Sequence, residues 1–281
     1  MRAGLVQMCS GDDPAENLAQ ARELIAQAVA GGAGFVLTPE VTNCVSSSRA
    51  HQARVLSHEA EDPTLAGLRE TAAEQRIWLL IGSLALKTGD PDGRFANRSF
   101  LIAPDGRIAA RYDKIHMFDV DVSPTETYRE SQGFRPGDRA VLAPTPFAIL
   151  GMTVCYDVRF AALYRQLAQA GAEVLTVPAA FSPVTGAAHW DSLLRARAIE
   201  CGAWVLAPAQ TGDHPVREGP PRRTHGHSLI VAPWGEIVAD AGTEPGVIWA
   251  DLDRSAVQDA RRRVPSLRHA RPFHGPAGPE A

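Results

Sequence analysis

Apolar and polar positions alternate along the chain in two periods, and the changes of period mark the elements. Residues 2–8 (RAGLVQM) form a short apolar run that reads as a strand. Over 14–30, Leu18, Ala21, Leu24, Ile25 and Ala28 recur at helical spacing behind Pro14, and Gly31-Gly32 stop the helix. Residues 34–38 (GFVLT) give a second strand, ending at Pro39-Glu40. A helix is predicted over 63–75 and a strand over 77–84. The apolar runs 96–103 and 107–112 flank Pro104-Asp105-Gly106, which predicts an antiparallel hairpin. Beyond it, strands over 147–155, 173–177 and 203–209 alternate with helices over 161–170 and 186–201. A last hairpin pairs 228–232 with 237–239 around Pro233-Trp234-Gly235, and 247–251 closes the sheet. The Pro/Gly-rich stretch 211–224 reads as a surface loop, and the arginine-rich segment after 251 as a surface helix and tail.

Helices interleaved with buried strands predict an α/β fold, and the hairpins make its sheets mixed. No repeat or linker divides the chain, so one domain is expected over 1–271, followed by a tail over 272–281. With 45% hydrophobic and 21% charged residues the chain is long and apolar enough for a sizeable core. A formal net charge of −4 gives no global attraction to nucleic acid or anionic membranes. No apolar run approaches the roughly 20 residues that span a bilayer. The apolar stretch 5–8 runs into Gly11, Asp12, Asp13 and Pro14 and does not read as an export signal, so a cytoplasmic location is expected. Cys9, Cys44, Cys155 and Cys201 are far apart and without zinc-type spacing, which suits reduced thiols. The histidines show no paired ligand spacing with carboxylates, His225 and His227 included, so no metal and no organic cofactor are expected. GxSxG, P-loop and GxGxxG patterns are absent, which removes the main supports for serine-hydrolase and nucleotide-binding readings.

The chemistry lies where three reactive side chains fall. Glu40 closes FVLTPE, Lys114 follows RIAARYDK, and Cys155 closes FAILGMTVC just before a helix-forming segment. Ligands collect at the carboxyl ends of strands in open α/β sheets, so three segments can each deliver one group to a common edge. A thiol there is a nucleophile once ionised, and a helix N-terminus and a lysine favour the thiolate. A carboxylate can carry protons, and Lys114 with the Tyr156 N–H can face a developing oxyanion. Plainer readings stand beside these: a packed core thiol, an ion pair between Lys114 and Asp113, and a surface carboxylate at Glu40.

The local sequences add a resemblance. FVLTPE, YDKIHMFDVDV and GMTVCYDVRFAALYRQLAQAGAEVL resemble the nitrilase superfamily of carbon–nitrogen hydrolases, with Lys114 74 residues after Glu40 and Cys155 41 after Lys114. The likeness continues through VPAAFSPVTGAAHW, LLRARAIE and GHSLIVAPWGEIVADAG. It implies a four-layer αββα sandwich with mixed sheets, pairing as a homodimer or larger homo-oligomer. It implies Glu40 as general base, Lys114 as oxyanion contact and Cys155 as acylated nucleophile. A second glutamate lies between lysine and cysteine in the family, and Glu130 in TYRES matches it better than Glu126. By the same resemblance Phe181, His189 and Trp190 border the pocket beside Tyr156; His116, two residues after Lys114, reads from its position as a support for the lysine. The implied activity is hydrolysis of a small-molecule amide. CYDVRF with PAAF…TG…AHW resembles the branch holding the deaminated glutathione and omega-amidases, whose substrates share an α-ketoglutaramyl group. RARAIE and PAQTG favour the former, and Arg217, Arg222 and Arg223 are candidate partners for the carboxylate of a cysteinylglycine leaving group. VTNCVSSSR, after Glu40, departs from the omega-amidase pattern, and its Cys44 reads as a bystander. Nitrilase, carbamoylase and omega-amidase remain alternatives within the enzyme class; a non-catalytic binding protein on the same fold is the alternative outside it.

Overall fold

The computed structural model describes residues 1–123 and 126–275. The predicted tail therefore lies outside the described residues from 276 on, and 272–275 carry no regular element. In the first half come β1 (Arg2–Gln7), α1 (Pro14–Ala30), β2 (Phe35–Leu37), α2 (Arg49–Val55), α3 (Pro63–Gln75), β3 (Trp78–Lys87), β4 (Phe95–Ile102) and β5 (Ile108–Asp113). An antiparallel pair of β6 (Asp119–Ser123) and β7 (Glu126–Arg129) and the short β8 (Phe134–Arg135) follow. The second half holds β9 (Val141–Pro144), β10 (Ile149–Met152), α4 (Ala161–Gln169), β11 (Val174–Thr176), α5 (Pro183–Cys201) and β12 (Trp204–Ala207). Then come the hairpin β13 (Thr211–His214) and β14 (Arg222–His225), β15 (Leu229–Val231), β16 (Ile237–Asp240), β17 (Gly246–Asp251) and α6 (Arg254–Arg263).

The major helices start where side chains can satisfy their first N–H groups. Asp13, Asp62 and Ser182 cap α1, α3 and α5, and each is followed by a proline whose missing N–H loses nothing there. The Ser182-Pro183 signal is why α5 begins three residues earlier than its apolar pattern alone predicts. Two mixed sheets result, one ordered β17-β1-β2-β3-β4-β5 with β8 beside β4, the other β16-β15-β12-β11-β10-β9. Because successive strand side chains point to opposite faces, Leu5, Phe35, Leu37, Leu80 and Leu101 meet Leu150, Met152 and Val174 in a core between the sheets. Their neighbours Val6, Val36, Ile81 and Phe100 pack outward against Leu24, Ile25 and Leu68 of α1 and α3. With α4 and α5 over the second sheet, the layers are α-β-β-α.

Two expectations are corrected, and one pair of strands is new. Residues 211–224 are not an open loop: β13 and β14 pair from Thr211↔His225 to His214↔Arg222. His214, buried between the Ser10 carbonyl (2.7 Å) and the Thr224 hydroxyl (2.8 Å), pins that hairpin. The strand expected over 147–155 ends at Met152, leaving Cys155 on a turn beyond it. Residues 119–123 and 126–129 pair as antiparallel strands that have no counterpart in the sequence reading.

One irregularity positions the site. The register of β3 against β4 shifts between Ile81 and Leu84, and this bulge grips the turn after β2. Gly82 N–H donates to Thr38 Oγ1 (3.1 Å), Ser83 N–H to the Pro39 carbonyl (3.3 Å), and Val41 N–H to Ser83 Oγ (2.8 Å). A Cβ on Gly82 would lie 2.0 Å from the Thr38 carbonyl oxygen and 2.5 Å from that of Pro39, so only glycine lets the turn sit this close. Gly82→Ala is expected to destabilise the protein by about 1–3 kcal/mol and lower the melting temperature by several degrees. Thermal denaturation checks this, and an unchanged melting temperature would show that the contact is not restrictive.

Candidate active site

Glu40, Lys114 and Cys155 arrive at one place because their strands point the same way. β2 runs parallel to β3, and β5, two antiparallel steps further on, shares that direction. In the facing sheet β10 runs parallel to β11. The residues after β2, β5, β10 and β11 therefore line a common edge. Each sits on a constrained backbone. Val41, after Glu40, has φ +46° and Cys155 has φ +49°, both left-handed. The Lys114 carbonyl accepts from Gly137 N–H (2.8 Å), where a Cβ would stand 2.3 Å from the Asp113 carbonyl oxygen.

Lys114 is 2% exposed and lies between two carboxylates. Its Nζ donates to Glu40 Oε1 (2.9 Å) and to Glu130 Oε1 and Oε2 (2.9 and 2.8 Å). Asp113, the partner in the plainer reading of the sequence, is instead held by Arg98 at 2.5 and 2.8 Å. Glu130 also accepts from Phe118 N–H (2.6 Å), whereas Glu126 takes the Tyr128 hydroxyl (2.8 Å) and does not reach the lysine. The second Glu40 oxygen accepts from Ala180 N–H (2.9 Å), and the charge of this carboxylate acts on the Cys155 thiol.

Cys155 opens the 3-10 turn Cys155–Arg159, with its N–H on the Pro178 carbonyl (2.9 Å). Asp157 in that turn is fully buried and ties it to the lysine loop. It accepts from Val154 N–H (2.9 Å), the Tyr112 hydroxyl (2.6 Å) and His116 N–H (3.0 Å), with His116 Nδ1 2.7 Å away. His116 thus stands behind the lysine and stacks on Phe160 at 3.4 Å.

These charges decide where the proton rests. Burial opposes ionisation of Glu40, but the Lys114 ammonium outweighs it and holds the carboxyl below the usual range. Burial also opposes the charge on Lys114, and Glu130 and Glu40 overcome it, raising the ammonium above its ordinary value. The thiol goes the other way from the sequence expectation. Burial and then the Glu40 charge push Cys155 well above its usual range, against the pull of Lys114. Helix α4 starts only at Ala161, so its dipole is displaced from the sulfur. These charges favour a neutral thiol beside an ionised carboxylate.

A cavity of about 700 Å³ opens over this pair, walled in part by Tyr156, Phe181, Phe118, Tyr128, Arg222 and Cys44. Two expected pocket residues stand outside its wall. His189 is exposed on α5, with Nδ1 3.3 Å from Arg159 Nη1. Trp190 is buried behind Phe181, ring centroids 4.7 Å apart, and donates to the His227 carbonyl (2.8 Å). Both were expected to border the pocket, but helical rotation turns one to solvent and the other to the core. Arg217 pairs with Asp13 and Glu16 (2.8 and 2.9 Å), away from the cavity, whereas Arg222 and Arg223 line it. Asn97 and the Ala180 N–H touch Glu40 and were not singled out in the sequence; the one available signal was a polar residue inside the apolar run FANRSFLI. Among the described residues no group of three or more His, Cys, Asp or Glu could hold a metal ion. A buried thiol, a carboxylate to take its proton and an ammonium beside both can form a covalent bond to an electrophilic carbon and stabilise negative charge on its oxygen.

The carbon-nitrogen hydrolase family matches residues 2–262. A deaminated glutathione amidase of Synechocystis sp. is 41% identical over 95% of this chain and 97% of its own length. The omega-amidase NIT2 of Homo sapiens is 33% identical over 96% and 95%. Among solved structures, the C. elegans NitFhit protein superposes with TM-score 0.88 at 33% identity, covering 96% of this chain and 65% of that longer one. An amidase from Nesterenkonia sp. AN1, solved as a glutamate-to-glutamine mutant with acrylamide added at its active-site cysteine, gives TM-score 0.75 at 26% identity over 94% and 98%.

The proton distribution has a testable sign. Glu40→Gln removes the charge that raises the thiol while Lys114 remains, so Cys155 becomes more acidic. Thiolate ultraviolet absorbance, with Cys155→Ser as the blank, is expected to appear at lower pH in Glu40→Gln than in the parent. An onset that stays put or moves up would contradict the assignment.

Proposed function

This chain belongs to the carbon–nitrogen hydrolase family, and from that premise we propose how it works and on what. It is an amidase of the nitrilase superfamily, a hydrolase acting on non-peptide carbon–nitrogen bonds. The mechanistic reading rests on one observation: Glu40, Lys114 and Cys155 meet in a buried site at the floor of an open cavity. As Cys155 sulfur attacks the amide carbon, its proton passes to Glu40 and the carbonyl electron pair moves to oxygen. Lys114 and the Tyr156 N–H, in the first turn of its 3-10 helix where a backbone donor lacks a partner further up, face that oxygen. The C–N bond breaks as the oxyanion collapses, Glu40 returns the proton to the departing nitrogen, and a thioester remains. Glu40 then takes a proton from water as it attacks the thioester. The C–S bond breaks, sulfur recovers the proton, and the carboxylic acid leaves.

Deaminated glutathione is the substrate this reading favours, with a role in metabolite repair. The supports are the relatives of that name, a cavity larger than an ammonia leaving group needs, and Arg222. Arg222 Nη2 donates to the Ala180 carbonyl (2.9 Å), one peptide unit from the N–H on Glu40. Its loop neighbours Arg217 and Arg223 pair with carboxylates, whereas Arg222 forms no ion pair among the described residues, which suits it to a carboxylate of the substrate. Omega-amidase activity on α-ketoglutaramate is the second reading, favoured by the human relative. A cytoplasmic location belongs to the proposal, supported by four free cysteines. No helix of the described residues is long and apolar enough to cross a membrane. A homodimer is supported by Ile199 at the end of α5, which lies against the Gly235 turn, with exposed Trp234, Ile237 and Val238 around that turn.

Cys155→Ala is expected to reduce turnover to background without altering the circular dichroism spectrum; surviving activity would remove Cys155 from the mechanism. Purified protein assayed on both substrates should prefer deaminated glutathione. Arg222→Gln should raise its KM about tenfold or more while changing turnover of α-ketoglutaramate less. Equal effects on both would place Arg222 on the shared acyl group, and no effect on either would dismiss it.

A further inference from the structure

We infer that Asn97 is a positioning residue of this site, whose side-chain amide holds the Glu40 carboxylate so that only one of its oxygens is free to receive the thiol proton. The inference rests on the reading of Glu40 as the proton carrier.

Asn97 lies on β4, its carbonyl accepting from Lys114 N–H (3.0 Å). Alternation along the strand points Arg98 to Asp113 and Glu59 on one face, and Asn97 and Ser99 into the buried interior on the other. Asn97 is 2% exposed. Its Nδ2 donates to Glu40 Oε1 at 2.9 Å and lies 3.4 Å from Glu130 Oε1. Those are the same two oxygens that Lys114 Nζ bridges. Two carboxylates sharing one ammonium leave a net negative charge in the interior, and the amide supplies the second donor between them.

The other end of the amide shows what this arrangement sacrifices. Asn97 Oδ1 is buried without a hydrogen-bond partner among the described residues. Reversing the amide would set that oxygen against two carboxylate oxygens, acceptor against acceptor, so the orientation follows from the network. An unsatisfied buried carbonyl is unfavourable, and a residue chosen for packing would be apolar here. The polar group is retained for its donor end.

The consequence concerns which oxygen reacts. Oε1 of Glu40 already accepts from Lys114 and Asn97, while Oε2 accepts from the Ala180 N–H alone. Oε2 keeps the open lone pair. The charged and titratable groups facing Glu40 are Lys114, Glu130, Cys155 and Arg222, from four separate segments. Asn97 adds a donor to the carboxylate without adding charge, so losing it makes Glu40 easier to protonate. Activity that needs the carboxylate is then lost at higher pH on the acid side.

Two variants test this beside Glu40→Gln and Cys155→Ala. Asn97→Ala removes the amide, and Asn97→Leu replaces it with an apolar group of similar size. In either, kcat should fall about tenfold to hundredfold, the range of a hydrogen bond to a charged group. KM should change little, and the acid limb of the kcat/KM profile should move up by about one unit. A folded variant with parental kcat and acid limb overturns the proposal. So does a variant that loses kcat with its acid limb unmoved, since mere packing explains that. The parent enzyme provides an arm that needs no variant: the assigned side-chain amide protons of Asn97 should titrate with the midpoint of the acid limb. An amide insensitive to that titration overturns the proposal even where both variants fail to fold. Turnover retained by Glu40→Gln would instead fail the reading of Glu40 itself, whatever Asn97 does.

Discussion

A single ammonium buried between two carboxylates is the interaction on which the rest of this structure depends. Lys114 and Glu40 carry their charges out of water and Glu130 is partly buried beside them, which is unfavourable unless their geometry and remaining hydrogen bonds are nearly complete. The protein meets that condition with donors from distant segments: Ala180 N–H, Phe118 N–H and Asn97 Nδ2. Remove the lysine, and two neighbouring carboxylates remain in the interior with no counter-charge. Remove Glu40, and the remaining pair is electrically neutral but the carboxylate assigned to take the thiol proton is gone.

That requirement explains irregularities elsewhere in the fold. The groups must meet within hydrogen-bonding distance although their strands belong to two facing sheets. Regular strands alone end too far apart, so the chain leaves them on constrained turns. The β3 bulge at Gly82 brings the Glu40 turn onto the sheet, the left-handed backbone at Cys155 turns the sulfur inward, and Gly137 lets a loop close over Lys114. Strained backbone persists where surroundings over-determine it. Asp157 does so here, tying the cysteine turn to β5 and the His116 backbone through one buried carboxylate.

How much of this was legible in the sequence follows from the reach of each signal. The 63–75 helix is found to the residue because Asp62-Pro63 caps it and its apolar period is clean. The β6–β7 pairing was missed although DVDVS alternates, because the two strands are short and none of their described residues is fully buried. In 211–224, proline and glycine read as loop, yet the strands on either side are held by His214 and by contacts some 200 residues away in the chain. Local motifs brought out Glu40, Lys114, Cys155 and Glu130, whose meeting is visible only in the fold. Asn97 was invisible because nothing near it in sequence bears on its role. The protonation of Cys155 was misread for a related reason: adjacency to a helix suggested a thiolate, whereas burial and a carboxylate from another sheet decide the matter.

A neutral resting thiol has a consequence for hydrolysis. If the proton had been lost to solvent, the site would hold a thiolate beside two carboxylates, with one ammonium against three negative charges in low dielectric. With the proton on sulfur, that charge appears only as the carbonyl arrives to receive it, and it moves to an oxygen facing Lys114 rather than staying on sulfur. The proton meanwhile rests on Glu40, an acid made stronger by the same ammonium. It is therefore readily given to the departing nitrogen, which must be protonated if the carbon–nitrogen bond is to break in preference to the weaker carbon–sulfur bond. One buried cation thus sets both halves of the cycle, keeping the base ionised before attack and making its conjugate acid a good donor after it.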